Sequence, residues 1–216
     1  MSLTTPDPQK SVLITIDVQV DFTMPGAPAE IAGTAAAVPN MLRLVKAFRA
    51  ANRPIAHMVR LYKPDGSNVD LCRRDLAANA WNVATPGGDG SQIIAELTPP
   101  GTILDHSTLL NGHPQRLGEN EWAFYKPRWG AFYQTSLEAM LGMWDVNTAV
   151  FCGCNFPNCP RTSIYQASER DLRVMVISDA LSGLYDQGRR ELENIGVVVT
   201  DTDLCLNWLR DPSLLL

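Results

Sequence analysis

Apolar and polar positions along this chain fall into two alternating patterns. Short runs that are apolar almost throughout, Ser11–Val18 (SVLITIDV), Pro54–Leu61, Thr148–Cys152, Val174–Ser178 and Val197–Thr200, read as strands covered on both faces. Segments with helical spacing lie between them. Ala37–Ala51 is the longest predicted helix, with Leu42, Leu44, Val45 and Phe48 on its apolar side and Pro39 suited to a first turn. Shorter helices are predicted over Thr135–Leu141, Pro160–Leu172, Arg189–Ile195 and Asp203–Arg210. Repeated strand–helix units imply a parallel sheet with helices on both faces, and ligands of such sheets bind beyond the carboxyl ends of the strands. The regularity breaks between Leu61 and Tyr125. There the polar, Gly- and Pro-rich pieces Lys63–Asn68, Thr85–Gly90 and Asn111–Asn120 read as long loops of the kind that cover sites or make oligomer contacts.

Composition narrows the possibilities. A chain of 216 residues, 45% apolar and 19% charged, suits one α/β domain, and a net charge of −5 argues against a nucleic-acid surface. The longest apolar runs are strand-length, so no membrane span is expected, and MSLTTPDPQK lacks the features of a signal peptide. Five cysteines, an odd number, do not make a disulfide framework; the expectation is a reduced, cytoplasmic protein.

Three polar residues fall where the pattern places the carboxyl edge of the sheet. Asp17 ends VLITID, Lys126 closes EWAFYK, and Cys159 follows the strand TAVFC and a tight Gly/Pro-containing loop. A cysteine at the mouth of a helix sits among unpaired N–H groups and partial positive charge, which favour the thiolate. An acid, an ammonium and a thiol in one pocket are a nucleophile with its activators. His57 lies within a strand and reads as a hydrogen-bonded core imidazole.

DVQVDF at Asp17–Phe22, KPRWGAF at Lys126–Phe132 and GCNFPNC at Gly153–Cys159, in this order, resemble the isochorismatase-like cysteine hydrolases. That superfamily includes nicotinamidases, N-carbamoylsarcosine amidase and ureide-cleaving amidases. The resemblance covers nearly the whole chain. It implies a single domain over residues 1–216 with a three-layer αβα fold around a six-stranded, mainly parallel, Rossmann-like sheet. It also implies a triad: Asp17 takes the thiol proton, returns it to the departing amine and then activates water, while Lys126 holds thiolate and carboxylate and lowers the cysteine pKa. A non-proline cis peptide is expected at Cys154–Asn155, with the N–H groups of Asn155 and Cys159 as the oxyanion hole. No cofactor is expected. The partners implied are a small-molecule substrate and further copies of the chain, as a dimer or tetramer.

The chain also departs from its relatives. Many carry Thr where this loop has Phe156, and Val where it has Pro160. Phe156 is expected to present an aromatic wall to the substrate, and Pro160 to open the helix with Cys159 as its N-cap. Nicotinamidases hold a divalent metal through an Asp-x-His pair and a nearby His after the second strand. RLYKPDGSNVDLCRRD contains no histidine, so no metal is expected and nicotinamide is disfavoured. Arg60, at the end of the second strand, is a candidate for a substrate carboxylate or carbonyl oxygen. Gln19, Arg161, Asn68, Arg73 and Arg74 are further polar candidates, and Phe22, Trp129, Phe156 and Tyr165 are candidate aromatic walls. The reaction expected is hydrolysis of a C–N bond in a compact amide, carbamoyl or ureido compound through a Cys159 thioester. The alternatives are a vinyl ether hydrolase that uses Asp17 as its acid, and a binding protein that keeps the fold without catalysis.

Overall fold

The computed structural model describes residues 2–77 and 82–215. In chain order the elements are β1 (Ser11–Ile16), α1 (Val20–Thr23), α2 (Thr34–Ala50), β2 (Ile55–Val59), α3 (Arg74–Ala77), α4 (His106–Leu110), β3 (Gln115–Gly118) and β4 (Glu121–Tyr125). The second half adds α5 (Leu137–Met143), β5 (Thr148–Gly153), α6 (Cys159–Ser168), β6 (Arg173–Leu181), α7 (Asp186–Asn194), β7 (Val198–Thr200) and α8 (Thr202–Arg210). They form a seven-stranded sheet in the order β3-β4-β2-β1-β5-β6-β7, parallel except for the antiparallel edge strand β3.

Strand alternation sends successive side chains to opposite helical layers. Leu13, Ile55, Val150 and Met175 pack against Met41, Leu44, Val45 and Phe48 of α2 and Cys205 and Trp208 of α8. Val12, Ile14, Ala56, Phe151 and Val176 pack against Leu137 and Leu141 of α5, Ile164 and Ala167 of α6 and Leu192 of α7. No described helix is long and apolar enough to cross a membrane.

Three local differences from the sequence pattern have physical causes. The sheet has seven strands rather than six, because Gln115–Gly118, inside a polar Gly-containing piece, pairs with β4 while Arg116 lies over the Trp122 ring at 6.0 Å. Such a half-exposed edge strand lacks the apolar run that betrays a buried one. The first strand stops at Ile16 rather than Val18, because Asp17 adopts a left-handed backbone (φ 54). The long helix begins at Thr34, after Gly33 in a left-handed conformation, so Pro39 lies inside it rather than in its first turn. A proline there forgoes one helical hydrogen bond.

A charged network crosses the sheet away from these strand ends. His57, buried as expected, meets Thr15 Oγ1 at 2.8 Å and Glu121 Oε1 at 2.9 Å, and Glu121 also accepts two 2.7 Å bonds from Arg49. Burial pushes the Glu121 carboxyl up, but the hydrogen bonds and charges of His57 and Arg49 outweigh it and hold the pKa at about 2, against an ordinary 4.5. A carboxylate depressed on folding adds stability that is full above its unfolded pKa and is lost as pH falls through its folded value. Glu121→Gln is therefore expected to lower stability by about 2–3 kcal/mol at neutral pH, and by much less near pH 2. Urea unfolding of both proteins at several pH values measures this; a pH-independent difference would contradict it.

Candidate active site

The carboxyl ends of four neighbouring strands, β4, β2, β1 and β5, deliver Lys126, Arg60, Asp17 and the loop Cys154–Cys159 to one edge of the sheet. Ladder-type hydrogen bonds fix each exit: Lys126 N–H donates to Val59 O (3.0 Å), Asp17 N–H to Met58 O (2.9 Å) and Cys154 N–H to Ile16 O (2.9 Å). Gly153 makes the last approach possible. Its φ is +121°, and a Cβ there would stand 2.3 Å from Ile16 O.

Lys126 is wholly buried, and its Nζ donates to Asp17 Oδ2 at 2.9 Å and to Arg128 O at 3.4 Å. Asp17 Oδ1 has no hydrogen-bond partner among the described residues. The left-handed backbone of Asp17 is a strained conformation that Asp tolerates better than most side chains, and such strain gathers at functional sites. Cys159 lies beside this pair, 7% exposed. Burial pushes its thiol up to about 12; the Asp17 carboxylate adds to this, and Lys126 and Arg60 oppose it without prevailing. This corrects the expectation of a resting thiolate: for a thiol so deeply buried, the loss of solvation and one adjacent anion outweigh two cations, so the thiol keeps its proton.

Two features of the loop also differ from expectation. The Cys154–Asn155 peptide is trans, as is every described peptide bond. Gly153 already provides the sharp turn, and Cys154 N–H to Ile16 O and Phe156 N–H to Ser182 O (2.8 Å) hold the loop without the cis cost. The N-cap of α6 is Asn158, which places Cys159 in the first turn and Pro160 after it. The N–H groups of Asn155 and Cys159 have no partner among the described residues.

Asp17, Cys154, Asn155, Asn158 and Cys159 line a cavity of about 320 Å³. Arg60, Tyr62 and Arg73 complete its polar wall, and Phe22, Ala29 and Ile31 its apolar one. Of the substrate-contact candidates, Arg60, Phe22 and Arg73 reach this cavity; the others lie elsewhere. Gln19 is fully buried, donating to Arg60 O (2.8 Å) and Ser91 O (2.7 Å) and accepting from Arg60 N–H (2.7 Å). It holds Arg60 in place rather than facing the cavity. Phe156 is buried against α7, edge-on to Tyr185 at 5.4 Å, where only Gly188 leaves room: a Cβ there would lie 2.4 Å from the ring. Arg161 bonds Tyr185 Oη and Glu191, both at 2.6 Å, and lies over the Tyr165 ring. Trp129 lines a separate apolar cleft with Leu71 and Tyr133. Asn68 is a turn residue whose Nδ2 donates to Leu61 O and Tyr125 Oη, and Arg74 Nε donates to Val69 O.

The sequence reading missed Tyr62, Ala29 and Ile31. Tyr62 follows Arg60 at strand spacing, a signal that was there to read. Ala29 and Ile31 enter only because Ala29 N–H bonds Asp21 O and Ile31 N–H bonds Phe22 O, which folds an irregular segment back over the site. No described group of three or more His, Cys, Asp or Glu is placed to hold a metal ion, and His57 is engaged by Thr15 and Glu121. The donor set of a metal-binding nicotinamidase does not fit this site.

The description "Isochorismatase domain" matches residues 11–203, which include all of β1 to β7. The chain belongs to the isochorismatase family. Within that family it is similar to a probable inactive nicotinamidase of Arabidopsis thaliana, 27% identical over 195 residues, with 88% of this chain and 91% of that protein covered. A ureidoacrylate amidohydrolase of Methylobacterium radiotolerans is 25% identical over 226 residues, covering 96% and 78%. Among solved structures, an isochorismatase family protein from Desulfovibrio vulgaris superposes with a TM-score of 0.78 at 27% identity, covering 94% and 98%. The family's relatives thus include amidohydrolases, on the same α/β architecture.

Proposed function

We propose that this isochorismatase-family chain hydrolyses a C–N bond of a small amide, carbamoyl or ureido compound through a thioester on Cys159. The observation that carries the reading is that Cys159 and Asp17 line one cavity, with Lys126 Nζ held 2.9 Å from the Asp17 carboxylate. The amide chemistry in the name of the ureidoacrylate-cleaving relative supports it.

In this reading the substrate carbonyl carbon stands at Cys159 Sγ. The thiol proton passes to the Asp17 carboxylate as sulfur attacks, so the raised thiol pKa is no obstacle: the proton leaves only when the new C–S bond compensates for it. Lys126 holds the Asp17 carboxylate in place through their 2.9 Å hydrogen bond. The unpartnered N–H groups of Asn155 and Cys159 receive the oxyanion. When the tetrahedral adduct collapses, the C–N bond breaks and Asp17 gives its proton to the departing nitrogen. Water then enters and Asp17 takes one of its protons as the oxygen attacks the thioester. When the adduct collapses the C–S bond breaks, the acid leaves, and Asp17 returns the proton to sulfur, restoring the thiol. The chain's own residues carry every step.

Ammonia release from a panel of small amides, carbamoyl compounds and ureides, with Cys159→Ala as the blank, tests the proposal. Turnover is expected to fall by about a thousandfold or more in the variant. Turnover that persists without the thiol points instead to Asp17-driven acid chemistry. Absence of any Cys159-dependent turnover favours a non-catalytic role, as the name of the Arabidopsis relative suggests for that protein.

A further inference from the structure

Arg60 is buried to 2% exposure in the wall of the Cys159 cavity, yet its guanidinium is only partly used. Nη2 donates to Asp70 Oδ2 at 2.6 Å, while Nε and Nη1 have no hydrogen-bond partner among the described residues. A buried donor left unpaired is costly, and a charged one more so, unless a ligand completes it. Several contacts hold the group in place. Gln19 bonds its backbone on both sides, and its guanidinium lies 4.8 Å from the centre of the Tyr62 ring.

The charge balance around it is uneven. Lys126 offsets Asp17 in the same pocket. Asp70, the remaining carboxylate, faces three guanidinium groups: Arg60 at 2.6 Å, Arg73 at 3.9 Å and Arg128 at 4.0 Å. Arg60 and Arg73 both line the cavity, whereas Phe22, Ala29 and Ile31 offer it only apolar surface. Among the described residues, the ion pairs around Asp70 thus set three guanidinium groups against its single carboxylate.

We infer that Arg60, supported by Arg73, is an anion subsite, and that the molecule cleaved at Cys159 is a short amide or ureido acid whose carboxylate sits on the free Arg60 nitrogens. This rests on the hydrolase reading for what happens at Cys159, but not for what binds at Arg60. Asp70 and Gln19 act through Arg60 as positioning residues: one fixes the guanidinium, the other its backbone.

Binding to the Cys159→Ala protein separates the two claims, since it needs no turnover. The probes are malonamate, succinamate and glutaramate, each set against the neutral diamide of the same length and titrated calorimetrically. At least one anionic member is expected to bind about tenfold or more tightly than its diamide, as a charge-assisted contact in a desolvated pocket requires. The preference should shrink in Arg60→Lys, which keeps the charge but loses the planar donors, and vanish in Arg60→Gln. Equal affinities, no binding by either series, or a preference that survives Arg60→Gln overturns the subsite. The comparison of the two ligand series on the protein with Arg60 intact decides the matter even where Arg60→Gln fails to fold. A charge preference in binding with no Cys159-dependent ammonia release would keep the subsite and remove the hydrolase; Cys159-dependent release with no charge preference would do the reverse.

Discussion

Asp17→Asn is expected to slow turnover by about a thousandfold, within the range typical of losing a positioned general base, while making Cys159 react faster with iodoacetamide at neutral pH. The opposite signs follow from one geometry. Asp17 is among the groups that raise the Cys159 thiol, and Lys126 opposes it. Removing the carboxylate's charge leaves Lys126 and Arg60 facing the sulfur without that opposing anion, so the thiol pKa falls and the thiolate fraction at pH 7 rises. Alkylation needs only thiolate and should speed up several-fold. Hydrolysis needs a group that accepts the proton and hands it to the leaving nitrogen, and Asn can do neither. The isosteric amide suits the left-handed backbone at this position, so the fold should be retained. If turnover and alkylation fall together, Asp17 is a structural residue and the base assignment fails.

Removing the cation has its largest effect on stability. Lys126 is fully buried and Asp17 is 4% exposed, so Lys126→Met leaves a largely buried carboxylate without its cation. Breaking a buried pair from one side costs about 3–5 kcal/mol, whereas replacing both charges by neutral groups of similar shape is often near neutral. The double variant Lys126→Met/Asp17→Asn should therefore recover most of the stability lost by Lys126→Met. The four proteins form a double-mutant cycle, read by urea unfolding. Additive losses would show that the 2.9 Å contact carries no coupling energy.

The parts of this protein that were legible in its sequence are those where a pattern runs straight into the chemistry. The buried runs ending at Asp17 and Lys126, and the one leading into Cys159, mark strand exits, and parallel-sheet topology brings those exits together. Arg60 could be placed at the cavity edge for the same reason. What it lacks there, a partner for two of its nitrogens, depends on where Asp70 and Tyr62 end up, and no local pattern encodes that. Phe156 failed as a predicted substrate wall because its environment is set by a glycine 32 positions later, Gly188, in a helix that sequence reading treats independently. β3 escaped because an edge strand with one side open to solvent reads like a loop. The thiol's protonation state was misjudged because helix-terminus reasoning counts nearby positive charge but not desolvation, which is the largest influence on Cys159.

The close crossing at Gly153 has a consequence for how the protein comes into being. The contact between Cys154 Sγ and Asp17 O spans 137 positions of chain, and the central pairing of β1 with β5 joins segments just as distant. Pairing at such range is entropically late and slow. During synthesis, Asp17 and Lys126 leave the ribosome before β5 exists, and the ammonium and carboxylate wait without the strand that closes their pocket. Cys154–Cys159 joins Asp17 and Lys126 only once β1 and β5 have paired, so a chain without that pairing lacks the whole cavity rather than one wall of it.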